Sequence, residues 1–116
     1  MYRKAEDRKI EVRHEMRGGK GDVTMMHSFT EDELMSPTRV CATIVIEPGC
    51  SIGPHVHDRE EEIFYIIEGT AKASDNGTDV ILRPGDSLLT GGGRSHSIEN
   101  IGDTTLRLFA AVIRFS

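Results

Sequence analysis

Gly53-Pro54-His55-Val56-His57-Asp58-Arg59-Glu60-Glu61-Glu62-Ile63-Phe64-Tyr65-Ile66-Ile67 is the stretch on which the reading of this chain turns. His55 and His57 are separated by one residue. On a strand, alternate side chains share a face, so the two imidazoles point the same way, about 6.6 Å apart along the backbone. A polar tetrapeptide, Asp58 to Glu61, then precedes the apolar run Ile63 to Ile67. Glu62 lies an odd number of positions from His57, so the chain must turn between them for both to face one point. Glu61 takes that place if the turn is one residue shorter. Strand, tight polar turn and strand is the pattern.

The same pattern continues on both sides. Gly and Pro punctuate the chain at Gly18-Gly19-Lys20-Gly21, Pro48-Gly49, Asn76-Gly77, Pro84-Gly85 and Gly91-Gly92-Gly93. The runs between them, rich in Val, Ile, Phe and Tyr, predict strands at Val40 to Glu47, Ile63 to Ile67, Val80 to Leu82, Ser87 to Thr90 and Leu106 to Phe115. Val23 to Phe29 is a weaker strand. Asn76-Gly77 suits a tight hairpin, since both residues tolerate positive φ. Thr30-Glu31-Asp32-Glu33 has capping-box spacing and can start a single helical turn, whereas Ala5 to Met16 reads equally as helix or strand. Many short strands joined by turns indicate an all-β antiparallel sandwich or small barrel.

With 116 residues, the chain has room for one domain and can bury roughly two-thirds of its unfolded surface without disulfides or metal. Its net charge of −5 argues against nucleic acid as the main partner. The basic residues between Tyr2 and Arg17 are interleaved with Glu6, Asp7, Glu11 and Glu15, which reads as a solvated face or edge strand. The longest aliphatic or aromatic run, Leu108 to Ile113, is too short for a transmembrane helix, so no membrane partner is expected. No apolar run follows the basic start, so no secretory signal is read. Cys41 and Cys50 lack disulfide-framework or CxxC spacing and are expected as inert, reduced thiols of a cytoplasmic protein.

A further histidine, His96, sits in a second Gly-bounded segment, Gly93 to Asn100. Three imidazoles and a carboxylate form a mixed N/O donor set suited to Mn, Fe, Co, Ni or Zn. Phe64 and Ile66 share parity with Glu62 and are expected on the inner wall, with Tyr65 outside. Arg39, Arg83, Arg94 and Arg107 are candidate partners for an anionic ligand. His14 and His27 have no matching ligands nearby and are assigned structural or surface roles. Gly18-Gly19-Lys20-Gly21 lacks phosphate-loop spacing and reads as a plain loop.

The spacing Gly49-x5-His55-x-His57-x4-Glu62-x6-Gly69 reproduces the first signature motif of the cupins. Gly85-x5-Gly91-x-Gly93-x2-His96-x3-Asn100 resembles the second, with Gly91 in place of the usual proline, which leaves the loop carrying His96 freer. This resemblance implies a double-stranded β-helix, a jelly-roll barrel, over residues 37–116. Residues 1–36 would be N-terminal strands and a turn packing on the barrel or on a dimer partner. It also implies His55, His57, Glu62 and His96 as ligands of one divalent transition metal, Mn or Fe favoured over Ni, Co or Zn. The chain is similar to small bacterial cupins related to oxalate-decarboxylase domains and to the cupin part of sugar-phosphate isomerases. The function implied is action on a small carboxylate or related oxygenated metabolite, by decarboxylation or oxygenation at the metal. The alternative is a non-catalytic binding or sensing module. A homodimer using the Glu11 to Phe29 region is the assembly expected from the resemblance. No general acid or base is identified.

Overall fold

The computed structural model describes residues 1–115. Ten strands make up the body: β1 (Lys9–His14), β2 (Asp22–His27), β3 (Thr38–Ile46), β4 (Ser51–His57), β5 (Glu60–Glu68), β6 (Ala71–Asp75), β7 (Thr78–Leu82), β8 (Ser87–Gly91), β9 (Arg94–Asn100) and β10 (Leu106–Arg114). They form two antiparallel sheets, one ordered β1-β2-β3-β10-β5-β8 and the other β4-β9-β6-β7. The fold is all-β, as the strand and turn pattern requires.

Period-two alternation sets which face is buried. On β3, Val40, Ala42, Ile44 and Ile46 turn inward, and on β10 Leu106, Leu108, Ala110 and Val112 do the same. Phe64 and Ile66 of β5, Ile98 of β9 and Ala71 and Ala73 of β6 complete the core between the sheets. Burying each of the larger side chains stabilises the fold by about 1.5–3 kcal/mol. A one-residue slip would exchange these faces, so the alternation also fixes register. Tyr65 faces outward and is half exposed, as its parity predicts.

The ambiguous N-terminal stretch resolves as β1 preceded and followed by short 3-10 turns, Ala5–Asp7 and Met16–Gly18. β2 pairs with β3 from Val23↔Ile46 to His27↔Ala42, so the large sheet is continuous across residues 36 and 37. β1 is its outer edge, with Ile10 and Val12 exposed. Thr30 does start a single turn, Glu31–Glu33, in which the Thr30 backbone N–H donates to Glu33 Oε1 at 2.8 Å. Arg3 clamps the same carboxylate through Nη1 at 2.7 Å, tying the N-terminus to the body.

The Gly18 to Gly21 loop is more specific than its composition suggests. A Cβ at Gly19 would stand 2.2 Å from the Ser51 carbonyl oxygen, and one at Gly53 only 2.1 Å from the Arg17 carbonyl oxygen. Two glycines therefore let the turn after β1 lie backbone-to-backbone on β4, just before the histidine pair. Gly91, where the cupin motif usually has proline, sits on β8 opposite Glu61. A Cβ there would come within 2.7 Å of the Glu60 carbonyl oxygen. Close approach of β8 to β5, rather than a looser loop, explains the glycine. The following Gly92 and Gly93 both take positive φ in the turn to β9.

Candidate metal centre

His55 and His57 leave β4 on one face and His96 stands beside them on β9, where the antiparallel register sets His55 opposite His96. Glu62 reaches across from β5 in the other sheet. The chain turns through Asp58 and Arg59, the latter in left-handed backbone at φ 57°, and this supplies the change of direction between His57 and Glu62. Glu61 falls on the opposite face of β5, so Glu62 is the carboxylate that joins the histidines. The four donor atoms lie within 4.8 Å of one another. His57, Glu62 and His96 are all buried.

The three Nε2 atoms form a triangle with every edge 3.1 Å. Glu62 Oε1 lies 2.8 Å from His57 Nε2 and 3.0 Å from His96 Nε2. The outer nitrogens are all engaged. His55 Nδ1 donates to the Gly53 carbonyl at 2.8 Å and His57 Nδ1 to Glu60 Oε2 at 2.5 Å, while His96 Nδ1 and Thr90 Oγ1 share a hydrogen bond of 2.8 Å. The carbonyl and the carboxylate only accept, so His55 and His57 carry a proton on Nδ1, and a metal on the His96 Nε2 would make Thr90 an acceptor in the same way. Three imidazole nitrogens and one carboxylate oxygen gathered in this way form a donor set suited to one divalent transition-metal ion.

Electrostatics follow from burial and pairing. Desolvation pushes the His55 pKa down to about 4, and the neighbouring His96 and His57 push the same way. Burial also disfavours a charged His57, but hydrogen bonds to Glu62 and Glu60 outweigh it and raise its pKa. Burial disfavours charge on Glu62 too, yet its bonds to His57 and His96 hold its pKa below the ordinary value. Glu60 is brought down to about 2, chiefly by Arg39, which donates Nε to Oε1 at 2.8 Å and Nη2 to Oε2 at 2.6 Å. Phe64 stacks on the His96 ring with centroids 4.8 Å apart and planes 13° apart, which blocks its rotation.

Sequence reasoning brought together His55, His57, Glu62 and His96, but missed their outer support. Glu60 was legible, because it has the same parity on β5 as Glu62, Phe64 and Ile66. Thr90 and the Gly53 carbonyl carried no signal, since each meets its imidazole only through the fold. Of the four candidate anion-binding arginines, Arg39 alone lines the cavity at the site, and Glu60 already holds its guanidinium. Arg107 instead pairs with Glu68 at 2.8 Å. His14 pairs with Asp22 and Glu15 on the surface, and His27 pairs with Glu11. Cys41 and Cys50 are free thiols, and burial raises the pKa of Cys41. Asn100, the last position of the second motif, is structural. Its amide donates to the Ile46 and Thr104 carbonyls, and its oxygen accepts from Gly102 N–H.

Comparison with known proteins agrees with this architecture. The Cupin domain family model matches residues 42–112. An oxalate-binding protein of Thermotoga maritima is 44% identical over 98 residues, covering 84% of this chain and 81% of the relative. The tetracenomycin polyketide synthase protein TcmJ of Streptomyces glaucescens is 33% identical over 81 residues, 65% of this chain and 54% of its own. Among solved structures, a predicted oxalate decarboxylase from Thermotoga maritima superposes with a TM-score of 0.93 at 39% identity, covering 98% of this chain and 99% of that one. The polyketide cyclase RemF of Streptomyces resistomycificus shares the fold, with a TM-score of 0.78 at 23% identity over 100% of this chain and 80% of that one. Since the family model spans well over half of its length, the chain belongs to the cupin family.

Proposed function

We propose that this protein binds a divalent transition metal, Mn or Fe, through His55, His57, Glu62 and His96, and holds a small carboxylate of the oxalate class on that metal. The observation that carries the reading is the 3.1 Å triangle of Nε2 atoms whose outer nitrogens are all fixed. Four protein donors around an ion that prefers six leave two positions for ligand oxygens. When bound, the metal supplies Lewis acidity to those oxygens. The chain orients the three rings through Gly53, Glu60 and Thr90, and Val40 and Val112 give the cavity an apolar side that limits water. The 44% identity to an oxalate-binding protein supports the ligand class.

Binding is favoured over turnover by the walls of the cavity. They carry Arg13, Arg17 and Arg39, and among the described residues their only carboxylate is Glu62, itself a donor to the proposed metal. Decarboxylation of an oxalate monoanion gives CO2 and formate only if a proton reaches carbon, and among the described lining residues no free acid stands ready for it. The alternative reading, decarboxylation or oxygenation, is supported by the likeness to a predicted oxalate decarboxylase.

The test is metal analysis of protein purified without a nickel column, beside His55→Ala and His96→Ala. Near-stoichiometric Mn or Fe in the wild type, lost in both variants, with a melting temperature raised by oxalate only in the metal-loaded protein, supports the proposal. No metal after reconstitution overturns it, and formate released from oxalate would establish the alternative. For assembly we propose a homodimer closed along the free β1 edge, where exposed Ile10 and Val12 leave an unpaired strand. A monodisperse monomer by light scattering would refute that.

A further inference from the structure

The small cavity over the histidine cluster, about 30 Å³, has room for one or two water-sized groups. His55, His57 and Glu62 line it, with Arg13, Arg17 and Arg39 as the cationic residues of its wall. Two of these guanidinium groups are committed. Arg39 is held by both oxygens of Glu60, and Arg13 by Glu11, with Nε to Oε2 at 2.9 Å. Arg17 makes no side-chain hydrogen bond or ion pair among the described residues, and it is exposed at the mouth.

Its backbone is fixed there at a cost. Arg17 has φ 55° and ψ 31°, and Glu15 has φ 49° and ψ 46°, two non-glycine residues in the left-handed region within one turn. Such conformations persist only where the surroundings over-determine them. Here the Gly18 N–H bonds to the Glu15 carbonyl at 3.0 Å, and Gly19 N–H to Met16 at 2.9 Å. The Glu15 N–H bonds to the Gly21 carbonyl and the Ser51 N–H to the Lys20 carbonyl, both at 2.9 Å. The close approach of Gly19 and Gly53 locks the turn onto β4, the strand that carries His55 and His57. The turn is therefore held firmly against β4, and it places Arg17, whose guanidinium has no partner among the described residues, in the lining of the cavity shared with His55, His57 and Glu62.

We infer that Arg17 is a specificity-determining residue that receives the outer carboxylate of a two-carbon dicarboxylate whose other end faces the histidine cluster. The inference rests on the metal and carboxylate reading above. A cavity of this size admits the inner oxygens of such a ligand and leaves the outer oxygens at the mouth. There the planar fork of Arg17 matches a carboxylate in a way a point charge does not. Glycolate offers one carboxylate to the cluster and no second one at the mouth, so it separates the two ends.

The experiment is calorimetric titration of Mn(II)-loaded full-length protein with oxalate and with glycolate, for wild type, Arg17→Ala, Arg17→Lys and Lys20→Met. Lys20 sits on the same turn but does not line the cavity. Mn content and the melting temperature of the metal-free protein report whether each variant is intact. Loss of a charge-assisted hydrogen bond predicts oxalate binding weakened about 10- to 100-fold in Arg17→Ala. Glycolate binding should change less than about threefold, Arg17→Lys should recover only part of the loss, and Lys20→Met should bind both ligands as the wild type does. Equal weakening of oxalate and glycolate, an unaltered Arg17→Ala, or an equal effect of Lys20→Met each overturns the role of Arg17 while leaving the metal reading in place. A wild type that takes up Mn but neither anion overturns the carboxylate reading and the inference together.

Discussion

Replacing Thr90 by Val tests how the third imidazole is held. The two side chains have nearly the same shape, so packing against β5 is kept and only the hydroxyl is lost. Thr90 and His96 are each 1% exposed, the Nδ1 to Oγ1 distance is 2.8 Å, and Phe64 stacks flat on the ring. The His96 ring can neither reach water nor turn to another acceptor, so its Nδ1–H is left buried and unpaired. That costs about 1–3 kcal/mol, which for a chain of this size lowers the melting temperature of the metal-free protein by roughly 5–15 °C. The second consequence falls on the metal. Without that acceptor the tautomer that keeps a lone pair on Nε2 is no longer favoured, and loss of such outer support typically weakens metal binding about 10- to 100-fold. Thermal unfolding with and without Mn(II), together with chelator competition, reads both effects. A variant that melts within a degree of wild type and binds Mn(II) equally would refute the assignment of the His96 proton to Nδ1 and of Thr90 as its acceptor.

Two further outcomes are expected. Glu60→Ala removes the acceptor of His57 Nδ1 and frees Arg39, so Mn(II) affinity should fall about 10- to 100-fold, while Glu61→Ala, one residue on and facing outward, should leave it unchanged. Equal effects in chelator competition would mean that bulk charge, rather than the His57 bond, is responsible. Arg3→Met tests the N-terminal clamp through pH. Arg3 and the Thr30 cap depress the Glu33 pKa from 4.5 to about 2, so their contribution is complete above about pH 4.5 and fades as pH falls toward 2. The gap in melting temperature between wild type and variant should therefore be wide at pH 7 and narrower at pH 2.5. A gap independent of pH would show that the bond to Ser28 and the stacking on Phe29, rather than the ion pair, hold the terminus.

Much of the fold and part of the centre could be read from residue order because both depend on local periodicity. Alternation along Val40 to Ile46 and Leu106 to Val112 sets which face each strand buries, whatever its neighbours. The single residue between His55 and His57 sets their common direction in the same way, and the parity of Glu62 with Phe64 and Ile66 places its carboxylate on the inner wall. The helix-or-strand ambiguity of Ala5 to Met16 was settled only by pairing with β2, because a charged edge strand has little apolar alternation to declare it. Glu60 was within reach of the parity argument, being two residues before Glu62, but its partners were not. Arg39 on β3, Thr90 on β8 and the Arg17 turn come from segments remote in sequence, and their meeting at the histidines depends on strand order, which periodicity does not encode. The amino-acid sequence by itself determined the all-β class and the common direction of His55 and His57, and its cupin-like spacing implied the four donors while the residues alone left Glu61 and Glu62 both open. Only the tertiary structure decided how those donors are oriented, because a hydrogen bond between distant strands exists only once both sheets have closed around the same core.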